Sequence, residues 1–381
     1  MLSVRQLTLF SLLICILAAT SVRAAQPVPA APRLSAPSYL LVDFNSGYVM
    51  AEENIDQRLE PASLTKMMTA YVVYHELASG KLSKEDTTVV SEKAWRMGGS
   101  RMFIEVDKEV LIGDLVKGLI VQSGNDASVA LAEAIAGSEQ QFADYMNTFA
   151  EQLGMTGSNF VNSTGLPDEQ HYTTARDMGI LARALIREFP EEYKLYAERE
   201  YTFNSIRQYN RNKLLWRDKS VDGIKTGHTE AAGYCLVASA QRDAMRVISV
   251  VMGASSEKVR TKESQRLLDY AFRFYKSQRI YAAEQTLDSP RIWKGEVESL
   301  PLGLSEDLFV TVPRGQTSTL KTSLQYHQDI TAPVKAGERL GILQVTLGEE
   351  VIAERPLVAL TSVDEGGIFQ RAIDTLLQYL R

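Results

Sequence analysis

Two long apolar runs, Gly233–Gln241 and Met245–Met252, meet across the turn Arg242-Asp243. A link that short joins neighbouring antiparallel strands, because a parallel pair needs a crossover of a dozen residues or more. Tyr39–Phe44 and Tyr48–Ala51 form a second hairpin pattern around Asn45-Ser46-Gly47. Between the hairpins the period changes to that of helices. One pattern begins near Ser63 and runs through Met67, Met68, Tyr71, Val72 and Tyr74. Others cover about Leu111–Val121, Ala127–Ala136, Gln140–Leu153 and Thr173–Arg187, and Val259–Tyr275 returns to helix. Strands, then helices, then strands predicts an α+β fold with antiparallel pairing rather than alternating βαβ units.

After about Arg279 the texture changes. Leu308–Val312, Leu320–Tyr326, Leu340–Leu347 and Val351–Leu360 are short β-type runs separated by turns such as Lys335-Ala336-Gly337. Leu343, Val345 and Leu347 alternate with polar neighbours, as half-buried strands do. These features predict a second, small all-β domain. At 381 residues the chain is long enough for two or three domains. Lys and Arg total 41 against 47 Asp and Glu, net −6, so no basic field exists to hold nucleic acid.

The two ends carry separate signals. Arg5 precedes the apolar run Leu7–Ala19, and Val22-Arg23-Ala24 supplies small residues before a cleavage point. The run is too short to span a bilayer, so residues 1–24 read as a cleavable export signal. Residues 25–37, with Pro27, Pro29, Pro32 and Pro37, read as an extended leader. Cleavage would remove Cys15 and leave Cys235 alone, with no intramolecular disulfide.

At the other end, a helical wheel of Ile368–Arg381 puts Ile368, Phe369, Ala372, Ile373, Leu376, Leu377, Tyr379 and Leu380 on one half. Gln370, Arg371, Asp374, Thr375, Gln378 and Arg381 fill the other. Such a helix either packs on its own domain or lies in a membrane interface. Gly366-Gly367 is expected to detach it, which together with export raises the membrane surface to equal standing with packing.

The four histidines, His75, His171, His228 and His327, show no zinc-pair spacing, and no phosphate loop or Gly-x-Ser-x-Gly elbow occurs. Ser63-Leu64-Thr65-Lys66 places a serine and a lysine on one helical face. A serine needs a base to become a nucleophile, and a lysine serves only when burial holds it neutral. Alone, the tetrapeptide reads better as a helix N-cap beside a solvated lysine than as a catalytic pair, and Ser255–Lys258 and Ser318–Lys321 match it too. Two further elements follow in order. Ser123-Gly124-Asn125 lies between helical patterns, and Lys225-Thr226-Gly227 precedes the strand from Gly233. Ser-x-x-Lys, Ser-x-Asn and Lys-Thr-Gly together are the set shared by penicillin-binding proteins and class A β-lactamases.

In the wider stretches Pro61–Ala70, Gln122–Ala127 and Val221–Thr229, the chain resembles the low-molecular-mass penicillin-binding proteins. More narrowly it resembles the D-alanyl-D-alanine carboxypeptidases of the penicillin-binding protein 5 type. The resemblance implies a serine β-lactamase/D,D-peptidase-like domain over 38–278, a C-terminal β domain over 279–363 and an amphipathic anchor over 364–381. It implies Ser63 as nucleophile and Lys66 as its base. Ser123 and Asn125 would relay protons and hold substrate backbone, with Lys225 on the opposite strand. Backbone N–H groups of Ser63 and His228 would form the oxyanion hole. Lys225, Thr226, Gly227, Arg211 and Arg260 would line the site and hold the substrate's terminal carboxylate.

No cofactor or metal is implied. The partners the resemblance implies are peptidoglycan stems ending in D-Ala-D-Ala, β-lactams as covalent inhibitors, and the periplasmic face of the inner membrane. Alternatives on the same residues are D,D-endopeptidase action on cross-links and a non-catalytic peptidoglycan-binding scaffold. Asn159–Thr174 contains Glu169 but no Glu-x-x-x-Asn pattern, which predicts slow release of penicillin. Cys235 is expected to be an inert buried thiol.

Overall fold

The structure, a computed structural model, describes residues 28–380. The export signal at 1–24 with Cys15, the start of the leader, and Arg381 lie outside the described residues. Five strands form the central sheet: β1 (Ser38–Asp43), β2 (Val49–Glu53), β3 (Val221–Thr229), β4 (Gly233–Arg242) and β5 (Met245–Ala254). Their order is β2-β1-β5-β4-β3 and every pair is antiparallel. β4 and β5 are the two apolar runs, and they occupy the middle of the sheet.

They read as unbroken apolar sequence because both faces are covered. Cys235 and Val237 point into a core shared with helices Thr65–Ala78, Asn125–Ala136, Glu139–Gln152 and Ala175–Glu188. Leu236, Ala238 and Ala240 point the other way, onto helix Glu257–Phe274. The strand period of two thus divides one apolar run between two cores. Burying a side chain the size of Val237 or Leu236 stabilises by about 1.5–3 kcal/mol.

Three local expectations change. The helix near Ser63 begins as a 3₁₀ turn, Ala62–Leu64, and Ser63 makes no capping bond; the α-helix starts at Thr65. The pattern over Leu111–Val121 is helical only from Ile112, and it widens to a π-helical turn at Gly118–Gln122 before Ser123 turns left-handed at φ 65°. The helix expected to reach Tyr275 ends at Phe274, and Tyr275–Tyr281 is a strand paired with Leu308–Pro313. Leu302–Gly303, Leu320–Tyr326, Arg339–Leu347 and Glu350–Ala359 form a separate antiparallel sheet over its own cores. The buried Asp43 carboxylate accepts from the Ser46 amide and from the hydroxyls of Ser46 and Ser277, while Ser46 also meets Thr311 at 2.7 Å. These bonds join the two parts of the chain.

The last helix, Ile368–Tyr379, is attached by its polar half. Asp374 is buried, accepting from the Arg291 guanidinium at 2.9 Å and the Lys294 amide at 2.6 Å. Gly366 donates to the Lys294 carbonyl at 2.8 Å, so the Gly-Gly pair docks the helix and does not detach it. The apolar half faces outward: Phe369 is 87% exposed, Leu376 60% and Leu380 73%. No helix among the described residues is long and apolar enough to cross a membrane.

Candidate active site

Ser63, Ser123, Asn125, Thr226, Gly227, His228, Arg211 and Arg260 line one cavity of about 360 Å³. Lys66 and Lys225 lie buried in its wall. All ten residues singled out in the sequence therefore meet at one place, between the edge strand β3 and the helical layer. The 3₁₀ turn presents Ser63 to the cavity half-buried, while its neighbours Ala62 and Leu64 are buried. Gly227 lets β3 approach that turn: a Cβ there would stand 2.9 Å from the Pro61 carbonyl and 3.2 Å from the Ala62 Cβ.

Lys66 is fully buried and its Nζ has three neighbours. They are Ser63 Oγ at 3.2 Å, Asn125 Oδ1 at 2.6 Å and the Thr164 carbonyl at 2.6 Å. The Asn125 amide is oriented because its Nδ2 donates to the Gly98 carbonyl at 2.7 Å. Two of the lysine's three neighbours are therefore carbonyl oxygens, which can only accept. In the neutral amine both N–H bonds go to them and the lone pair is left facing Ser63 Oγ. Burial above all, with the nearby Arg211 charge helping and Asp126 and Glu139 opposing, brings the Lys66 pKa down to about 7. The arrangement suits removal of the serine proton at neutral pH.

On the other side, Lys225 donates to Ser123 Oγ at 2.8 Å and to the Thr226 carbonyl at 3.1 Å. Burial holds it well below the ordinary lysine range, reinforced by the charges of Lys66, Arg211 and Arg260. The left-handed backbone of Ser123 aims its hydroxyl at this lysine. Arg260 donates to the Gly227 carbonyl at 3.1 Å, and the exposed Arg211 donates to the Gln122 carbonyl at 3.1 Å. The His228 ring stacks on Tyr234 with centroids 3.9 Å apart. Cys235 lies behind the site, fully buried, its thiol pushed up to about 11 by burial.

Four contributors escaped the sequence reading. Thr164 supplies a carbonyl, which no residue type marks. Gly165, at φ +84°, passes so close to the nucleophile's turn that a Cβ would fall 1.7 Å from the Ala62 carbonyl. Asp126 is buried and accepts from the amides of Met102 and Phe103 at 2.9 Å each, which fixes the segment crossing above Asn125. His171 Nδ1 accepts from the Val161 amide at 3.1 Å, so its Nε2 carries the proton and donates to Thr65 Oγ1 at 2.8 Å. This pair ties the Thr164 loop to the helix of Lys66. Glu169 is exposed and does not line the cavity.

A Ser–Lys pair, a Ser-x-Asn turn and a Lys-Thr-Gly strand around one cavity define a serine peptidase of the penicillin-binding class. The family model described as D-alanyl-D-alanine carboxypeptidase matches residues 24–256, and that of the penicillin-binding protein 5 C-terminal domain matches residues 275–365. The chain belongs to the D-alanyl-D-alanine carboxypeptidase family. It is 43% identical to D-alanyl-D-alanine carboxypeptidase DacC of Escherichia coli, over 93% of this chain and 90% of the relative. It is 42% identical to D-alanyl-D-alanine carboxypeptidase DacA of Haemophilus influenzae, over 91% of this chain and 90% of that one. Among solved structures, penicillin binding protein 5 from Haemophilus influenzae superposes with a TM-score of 0.85 at 41% identity. That match covers 88% of this chain and 100% of the other. Penicillin-binding protein D2 from Listeria monocytogenes, in its ampicillin-bound form, matches with a TM-score of 0.59 at 29% identity, over 63% of this chain and 100% of that one.

Proposed function

We propose that the chain is an exported serine-type D-Ala-D-Ala carboxypeptidase that removes the terminal D-alanine from peptidoglycan pentapeptide stems. The observation that carries this reading is the Lys66 amine, held by two carbonyl oxygens with its third direction on Ser63 Oγ. Lys66 takes the serine proton as Ser63 Oγ attacks the carbonyl of the penultimate D-alanine. The backbone N–H groups of Ser63 and His228 receive the developing oxyanion, a contribution of roughly 3–4 kcal/mol per donor in comparable sites. That proton is relayed by way of Ser123, bonded to Lys225, to the leaving amine, so that Lys66 is neutral again when the ester has formed. Water then hydrolyses the ester on Ser63. Arg211, Arg260 and Thr226 hold the terminal carboxylate.

β-Lactams acylate the same serine. The listeria relative in an ampicillin-bound form supports that extension. The chain divides into a catalytic domain over 38–278, a β domain over 279–363 and a C-terminal anchor over 364–381. The outward apolar half of the last helix supports attachment to a membrane surface, on the periplasmic side of the inner membrane. Release of D-alanine from a synthetic pentapeptide, and its loss in Ser63→Ala, tests the activity; a protein that binds the peptide but releases nothing would be a scaffold.

A further inference from the structure

A second cavity, of about 480 Å³, is larger than the catalytic one and shares no lining residue with it. Its walls are nonetheless built on the catalytic frame. Tyr74 stands on the helix Thr65–Ala78, about 12 Å along the axis from Lys66. Val116 and Lys117 precede the π-helical turn that leads to Ser123. Leu195 belongs to a 3₁₀ turn, Lys194–Ala197, that backs the strand of Lys225. The packing there is close: a Cβ on Gly223 would stand 3.3 Å from the Tyr196 Cβ. A cavity walled by such packed elements is pre-formed, as small-molecule sites usually are.

The lining states what would fit. Tyr74, Leu111, Val116 and Leu195 make an apolar floor, and Leu111 is left 43% exposed on it. The Tyr74 ring lines the cavity, yet its buried hydroxyl has no hydrogen-bond partner. Burial and the charge of Glu192 both hold that hydroxyl in its protonated form, so it is an unmet donor. The rim is acidic, with five carboxylates against three lysines. Lys84 pairs with Glu192 at 3.2 Å and Lys194 with Glu191 at 2.6 Å. Glu85, Asp114, Glu198 and Lys117 have no ion-pair partner within 4.0 Å among the described residues, and Asp114 is half-buried. A surplus of two negative charges therefore faces the opening. The catalytic cavity, with Arg211 and Arg260 in its lining and Lys66 and Lys225 in its wall, offers the opposite sign. We propose that the second cavity binds a small amphiphilic amine: an apolar ring on the floor, an acceptor oxygen at Tyr74 and an ammonium at Asp114 and its acidic neighbours. The site is separate from the peptidase chemistry and does not rest on it.

The test titrates the intact protein with 3-phenoxypropylamine, followed by ligand-observed NMR. Two compounds of the same size serve as controls: 4-phenoxybutyrate, an anion, and 4-phenylbutylamine, which lacks the ether oxygen. The amine should bind saturably with a dissociation constant on the order of 1 mM, as a ligand this small allows. The anion should bind about tenfold more weakly or worse. Protein treated beforehand with penicillin should bind the amine as well as untreated protein does. Asp114→Asn should weaken the amine about threefold, and Glu198→Gln, on the exposed rim, should act in the same direction without touching the core. Tyr74→Phe should erase the preference for the ether over 4-phenylbutylamine. Native circular dichroism shows that each variant folds. No saturable binding at millimolar amine overturns the site, and so does equal binding of the anion. Loss of binding after penicillin treatment would put the amine in the catalytic cavity and overturn it too. Native affinity in both charge variants would overturn the assignment to this rim.

Discussion

The Lys66 environment makes a quantitative statement about pH. With a pKa of about 7, roughly half of this amine is neutral at pH 7, roughly a tenth at pH 6 and most of it by pH 8. Only the neutral form has a lone pair for the Ser63 proton, so acylation should rise tenfold per pH unit up to about 7 and then level off. An ordinary exposed lysine would still be rising at pH 9. The assay is the second-order rate of acylation by a fluorescent penicillin between pH 5.5 and 9, with folding followed by circular dichroism. Lys66→Arg keeps the charge but supplies no base at any of these pH values, and should cost about 10²- to 10⁴-fold with no limb near 7. Arg211→Gln removes a charge that lowers the Lys66 pKa, so its limb should move to higher pH. A rate that is flat from pH 5.5 to 8, or that climbs steadily to pH 9, would refute the assignment of Lys66 as the neutral base.

Three other expectations follow from the same geometry. Gly165→Ala should destabilise the fold by about 1–3 kcal/mol and slow acylation, because it combines left-handed strain with a collision on the Ala62 carbonyl; wild-type denaturation midpoints and rates would contradict this. His171 is held neutral by burial, its pKa pushed down to about 4, so the unfolded chain binds its proton first as pH falls. Stability is therefore full above about 6.5 and should decline toward pH 4 by about 3 kcal/mol from this group, a slope that denaturant titration should find reduced in His171→Gln. Truncation after Glu365, or Leu376→Asp with Leu377→Asp, should release an active enzyme from vesicles that high salt does not strip, since apolar insertion is not screened; sedimentation of the truncated form with vesicles would count against the anchor.

Local chemistry in this chain was readable where a motif is a few residues long. Ser63 and Lys66 are one helical turn apart, and Ser123, Asn125 and the Lys225 strand carry their own spacing. What could not be read depends on contacts distant in sequence. The Thr164 carbonyl reaches Lys66 across 98 residues, and His171 meets Thr65 across 106. Neither contact leaves a local pattern. Asp126 sits inside the quoted motif, yet its role is to accept from amides some two dozen residues earlier, which a side-chain pattern does not announce. The wheel of the last helix was legible, but which half docks was not, because that depends on Arg291, 83 residues before Asp374. The strand Tyr275–Tyr281 was hidden for a related reason: only Tyr275 and Ser277 are buried, and polar Lys276, Gln278 and Arg279 mask the alternation.

The central claim is that Ser63 is the acylated nucleophile. Incubating the protein with a penicillin of known mass and mapping the adduct by peptide mass spectrometry tests it most directly. The account predicts one adduct, on the peptide containing Ser63, absent from Ser63→Ala and formed far more slowly by Lys66→Ala. An adduct on any other residue, or undiminished labelling of Ser63→Ala, would contradict it.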